Sequence, residues 1–175
     1  MIGLLAVALG IFLAQGAWAQ GDPFVIDSDG PPPPMRELAA AMFAPYSHTL
    51  AALAGWALLM IVLMGLSTMG EAKARTEGGP PVRDYSDPAY RRYRAHMNAV
   101  ESAGPFVAAA LGAMLVGAPP FWVNLLALVF LAARIAMAAV HIGTENQPAR
   151  SACFTLGLLC VFGLALLALF GAFGL

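Results

Sequence analysis

Polar and apolar positions divide the chain into four long apolar runs joined by short charged or proline-rich connections. The runs are Leu50–Leu66, Ala103–Ala118, Phe121–Val140 and Ala152–Leu175. Each is close to the ~20 residues that a helix needs to cross a bilayer core. They predict helices over His48–Thr68, Arg94–Gly117, Phe121–His141 and from Arg150 onward. Gly78-Gly79-Pro80-Pro81 breaks any helix in the first connection, and Pro119-Pro120 makes a tight turn in the second. The expected architecture is an all-α, up-down bundle of four transmembrane helices over residues 47–175.

Composition supports a membrane environment. Hydrophobic residues make up 60% of the chain and charged residues 11%, with a mean hydropathy of +0.75. Soluble domains average roughly 45–50% apolar and about 25% charged. The net charge of −1 points away from a nucleic-acid partner. Cys153 and Cys160 lie seven positions apart on the last helix, about 10 Å between Cα atoms, too far for a disulfide. The three histidines show no metal-ligand spacing, so no metal site is expected. There is no glycine-rich phosphate loop and no hydrolase nucleophile motif.

Ahead of the bundle, Ile2–Ala14 is a short apolar run followed by Ala17-Trp18-Ala19, an A-x-A pattern. Residues 1–19 therefore read as a signal peptide, or as an extra, uncleaved N-terminal helix. Residues 20–46 carry Asp22, Asp27, Asp29 and the run Pro31–Pro34, which predicts an extended extracytoplasmic tether. Of nine Lys and Arg, Lys73, Arg75, Arg83, Arg91, Arg92, Arg94 and Arg150 fall on one side of the bundle. By the positive-inside rule that side is cytoplasmic and the C-terminus lies outside.

Chemistry concentrates on the second and third helices. Arg91, Arg94, Asn98, Glu101 and Pro105 are spaced 3, 4, 3 and 4, which places them on one helical face. Pro105 cannot donate to the carbonyl of Glu101, so the stripe also holds a freed acceptor. On the third helix Arg134, Met137 and His141 share a face. Glu101 and Arg134 each lie seven residues from a cytoplasmic helix end, ~10 Å deep. Equal depth and opposite sign predict a buried Glu101–Arg134 pair. That pair either builds a functional site or only fixes how two helices pack. Arg91, Arg92, Arg94 and Arg150 crowd the mouth around one intramembrane carboxylate. A small anionic ligand entering from the cytoplasm fits them, as does anchoring at lipid phosphates.

Arg91-Arg92-Tyr93-Arg94-Ala95-His96-Met97-Asn98-Ala99-Val100-Glu101 resembles the R-x-x-R-A-x-x-N-x-x-E signature of the MAPEG family, the membrane-associated proteins of eicosanoid and glutathione metabolism. Gly104-Pro105-Phe106, Ala133-Arg134-Ile135 and Gln147-Pro148-Ala149-Arg150 resemble segments of its microsomal glutathione S-transferase branch. The similarity covers roughly residues 48–174. It implies a homotrimer in a bacterial inner membrane that binds glutathione as co-substrate at the cytoplasmic side, between subunits. Arg94, His96, Asn98, Glu101 and Arg134 would hold glutathione, Arg134 and Arg150 contributing charge, with Arg150 and His141 as the candidate catalytic residues. A cationic pocket favours the thiolate, which would attack an apolar electrophile or reduce a lipid hydroperoxide arriving from the bilayer.

The chain departs from the pattern. Many relatives carry tyrosines where Met137 and His141 stand here, and the third helix of this chain has none. The expectation is that His141 substitutes as donor on that helix. The first expectation is a membrane glutathione transferase or peroxidase. The alternative is a non-catalytic ligand-binding or scaffold protein on the same fold. A small transporter subunit fits less well, since inverted repeats and paired interrupted helices are missing.

Overall fold

A computed structural model describes residues 34–174. The expected signal peptide and most of the expected tether lie outside the described residues. Five helices follow in order: α1 Met35–Phe43, α2 Ser47–Ser67, α3 Pro88–Leu115, α4 Pro120–Gly143 and α5 Gln147–Ala172, with a 3-10 turn at Ala44–Tyr46 between α1 and α2. Among the described residues there is no strand, only an isolated bridge between Arg75 and Pro81. Helices α2 to α5 correspond to the four expected helices.

The end of the tether departs from expectation. Extended chain is predicted up to Tyr46, yet α1 begins at Met35. Pro34 stands in the N-cap position with φ −58° and ψ 144°. Met35-Arg36-Glu37-Leu38-Ala39-Ala40-Ala41 are nearly all strong helix formers, so the proline effect ends where the prolines end. Tyr46 is buried, and its hydroxyl donates to the Ala118 carbonyl at 2.6 Å.

Capping also moves two predicted boundaries. Helix α3 starts six residues before Arg94 because Asp87 accepts from the Ala89 amide at 2.8 Å and Pro88 occupies the first turn. Asn146 caps α5 in the same way, accepting from Ala149 N at 3.0 Å. At the far end of α3, Gly117 adopts φ +68° and turns the chain into Pro119-Pro120.

Helices α3 and α4 form the centre of the bundle, packed on each other and each on both α2 and α5. Their shared core is aromatic. Phe106 of α3 and Phe130 of α4 stack with ring centroids 3.9 Å apart, and Trp56 of α2 meets Phe130 edge-on at 5.1 Å. One polar clasp closes the end near Tyr46. Buried Asn124 accepts from Thr49 N at 3.0 Å and Thr49 Oγ1 at 2.8 Å, and its Nδ2 donates to the Pro45 carbonyl at 2.7 Å. Three of that side chain's four hydrogen-bonding positions are thereby used, and each of its polar atoms has a partner, as burial requires.

The continuous segment Met35–Ser67, α4 and α5 are each long and apolar enough to cross a membrane. Helix α3 is the fourth long helix, charged over its first turns and apolar beyond Glu101. The chain is a multi-pass helical membrane protein.

Candidate functional site at the charged end of α3

The α3 stripe forms as the spacing predicts, but its partners differ from expectation. Arg94 Nη1 donates to Glu101 Oε1 at 2.8 Å, two turns along the same helix. The Arg94 side chain is 33% exposed and that of Glu101 52% exposed, on the outside of the bundle. Asn98 lies between them, its Nδ2 donating to the Arg94 carbonyl at 3.3 Å. His96 is half-buried on another side of the helix.

Arg134 does not meet Glu101. It is 5% exposed, and its guanidinium lies 5.2 Å from the Phe130 ring centroid and 4.9 Å from that of Phe154. Nη1 contacts Met137 Sδ at 3.4 Å. Among the described residues no carboxylate reaches ion-pair distance of it. The difference is one of azimuth: Glu101 points to the outside of the bundle, while Arg134 points toward α5. There Gly157 makes room, since a Cβ at that position would stand 3.0 Å from Arg134 Nε. Aromatic faces and a thioether take the place of a counter-ion.

The crowd of arginines at the mouth is divided. Arg91 staples connections together, donating to the Tyr85 carbonyl at 2.7 Å and the Ile142 carbonyl at 3.1 Å, with Glu145 at 3.7 Å. Arg92 donates to the Met69 carbonyl at 2.6 Å, beside Gly70, whose φ of +77° suits only glycine. These two hold the loop, whereas Arg94 pairs with Glu101 and Arg150 is buried.

Arg150 and His141 come together around a residue that the sequence expectations omit. Tyr85, from the connection between α2 and α3, lies nearly parallel to His141, centroids 6.1 Å apart at 26°. The Arg150 guanidinium sits 4.3 Å from the centroid of the same ring. Tyr90 meets Tyr85 edge-on at 5.1 Å. His141 is only 3% exposed and Arg150 8%. Neither ring nitrogen of His141 has a hydrogen-bond partner among the described residues. A cavity of about 10 Å³, room for about one water, borders Trp56, Asn98, Arg134 and His141 inside the bundle. A second pocket of about 390 Å³ opens at the mouth, lined by Arg83, Tyr85, Tyr90, Tyr93, Arg94 and Met97.

The loop that carries Tyr85 is itself well held. Asp87 is buried and accepts from Lys73 N at 2.9 Å as well as capping α3. The amide of Lys73, more than any other group, holds its carboxyl below the usual carboxylate range. Asp84 is lowered chiefly by the Ser86 hydroxyl, at 2.9 Å, with Lys73 Nζ at 3.6 Å. Tyr85 gives one sequence signal: it stands just ahead of the Asp87-Pro88 cap, which folds the loop back onto the mouth.

Fold and site together define a helical membrane protein with a cationic, aromatic mouth and a charged stripe on its lateral face. Residues 46–170 match the model of the MAPEG family, and the chain belongs to that family, which includes glutathione transferases and peroxidases. No curated protein matches the chain.

Proposed function

We propose that this protein is a membrane-bound glutathione transferase or peroxidase of the microsomal glutathione S-transferase type, working as a homotrimer. The observation that carries it is the Arg94–Glu101 pair, with a 52% exposed carboxylate on the lateral face of a membrane helix. An ionised group facing hydrocarbon costs at least ~2.5–3.5 kcal/mol on lenient scales. A neighbouring copy packed on this face removes that contact with lipid and leaves a cleft between subunits. Glutathione carries an ammonium group and two carboxylates, which complement a cleft offering one carboxylate and the guanidinium groups of Arg94 and Arg150.

In this scheme Glu101 receives the glutathione amino group, Arg94 and Asn98 hold its carboxylate end, and Arg150 adds positive charge toward the sulfur. Arg134 and His141 support the pocket from within. His96 supplies a polar contact beside the motif. The excess of cations favours thiolate over thiol, and the thiolate is the nucleophile. An apolar electrophile or lipid hydroperoxide reaches it from the bilayer. The arginine-rich end faces the cytoplasm of a bacterial cell.

A second reading, a ligand-binding protein without catalysis, draws on one observation: His141, the only titratable donor on α4 besides Arg134, is sealed at 3% exposure. One titration separates the two. Purified protein is mixed with glutathione while ultraviolet thiolate absorbance is followed, then given an aryl halide and a lipid hydroperoxide. Binding with turnover supports the enzyme, binding alone supports the second reading, and absence of binding removes glutathione from both.

A further inference from the structure

We infer that Tyr85 supplies the hydroxyl that meets the ligand's sulfur at this mouth, with His141 and Arg150 as the residues that position it. The inference rests on the glutathione reading above. It follows from a layered arrangement at the end of α4. His141 forms the floor, Tyr85 lies on it at 26°, and Arg150 faces the same tyrosine ring at 4.3 Å. Tyr90 braces the ring edge.

The two cavities share no lining residue: the small void touches His141 and Arg134, and the open pocket is lined by Tyr85 and Arg94. Of the two groups, Tyr85 borders the larger pocket and His141 does not. A ligand bound by Arg94 therefore encounters the phenol, while the imidazole stays beneath it.

The chemistry suits a phenol held this way. A guanidinium over the ring face is attracted to it and holds the phenol in place. The thiol proton leaves to water, the sulfur becomes a thiolate, and the phenol keeps its own proton while donating a hydrogen bond to the sulfur anion. No bond to Tyr85 forms or breaks. A hydrogen bond to a charged acceptor is worth about 1.5–3 kcal/mol, which is at least a tenfold change in thiol acidity.

Positioning also has a visible mechanism. Arg91 grips the Tyr85 carbonyl at 2.7 Å and ties it to the end of α4 through the Ile142 carbonyl. The loop tyrosine is thereby fixed to the same helix end that carries His141.

The test is a pH titration of bound thiolate in full-length protein, comparing the parent with Tyr85→Phe and His141→Phe. Tyr85→Phe keeps the ring, the stack and the Arg150 contact. It is expected to bind glutathione within about threefold of the parent, yet to need about tenfold lower proton concentration for half ionisation. His141→Phe preserves a stacking floor and is expected to shift the midpoint by less than half as much. If Tyr85→Phe binds and titrates like the parent, the inference fails while the glutathione reading stands. The inference also fails if His141→Phe produces the larger shift. If the parent binds no glutathione, both fall together. Thermal melting of each variant separates loss of the hydroxyl from loss of the fold.

Discussion

Arg94 and Glu101 are joined at 2.8 Å along one face of α3, two turns apart and open to the outside of the bundle. The pair belongs to a single helix, so it does not bind one helix to another. Kept wet by the cleft between subunits of the proposed trimer, a pair of this kind contributes at most ~1 kcal/mol to stability. Glu101→Gln should therefore melt within a few degrees of the parent. A large loss of thermal stability in detergent would mean that the carboxylate has a packing role.

Arg134 gives the opposite expectation from an ion-paired arginine. Removing one member of a buried pair costs about 3–5 kcal/mol, whereas a buried charge without a counter-ion carries a desolvation penalty that an apolar group of similar size does not. Arg134→Met should leave stability unchanged or raise it in the absence of ligand, because Phe130, Phe154 and Met137 already surround the site. Denaturation of both forms by heat checks this, and a marked destabilisation would show a counter-ion in the assembled protein.

Much of this arrangement was legible in the sequence. Four helices in order, the turn at Pro119-Pro120 and the Arg94–Asn98–Glu101 spacing on α3 all follow from the sequence, since rise and residues per turn are fixed. Azimuth was not legible. Whether Glu101 faces Arg134 or the outside depends on how α3 is rotated against α4, which is set by the Phe106–Phe130 stack and by the room left at Gly157. Capping explains the early start of α3, and it was readable in Asp87-Pro88. Tyr85 was overlooked because it sits in a polar connection, where hydrophobic periodicity carries no information.

The Asn124 clasp ties the start of α2 to the start of α4 through three hydrogen bonds. Asn124→Ala leaves Thr49 and the Pro45 carbonyl without these partners, at about 1–3 kcal/mol for each group that stays dry. A total loss of ~2–4 kcal/mol is expected, measured by reversible unfolding in mixed micelles. A variant as stable as the parent would show that water replaces the amide.

The Tyr85 loop should loosen in acid. Asp87 and Asp84 have folded values below their ordinary carboxylate range, so the stability they contribute is full above the unfolded value of about 3.9 and is lost as pH falls through the folded values. Protection of the amides at residues 70–87 against hydrogen exchange should fall below about pH 4 while the amides of α4 stay protected. Asp87→Asn should remove most of that pH dependence, and an unchanged profile would locate the acid sensitivity elsewhere.

The most direct test of the glutathione reading is equilibrium dialysis of glutathione against the parent and Glu101→Gln in the same membrane mimetic. The parent should bind, and the variant should bind at least about tenfold more weakly, since a charge-assisted contact is worth ~1.5–3 kcal/mol. No binding by the parent, or equal binding by a folded Glu101→Gln, would contradict the account.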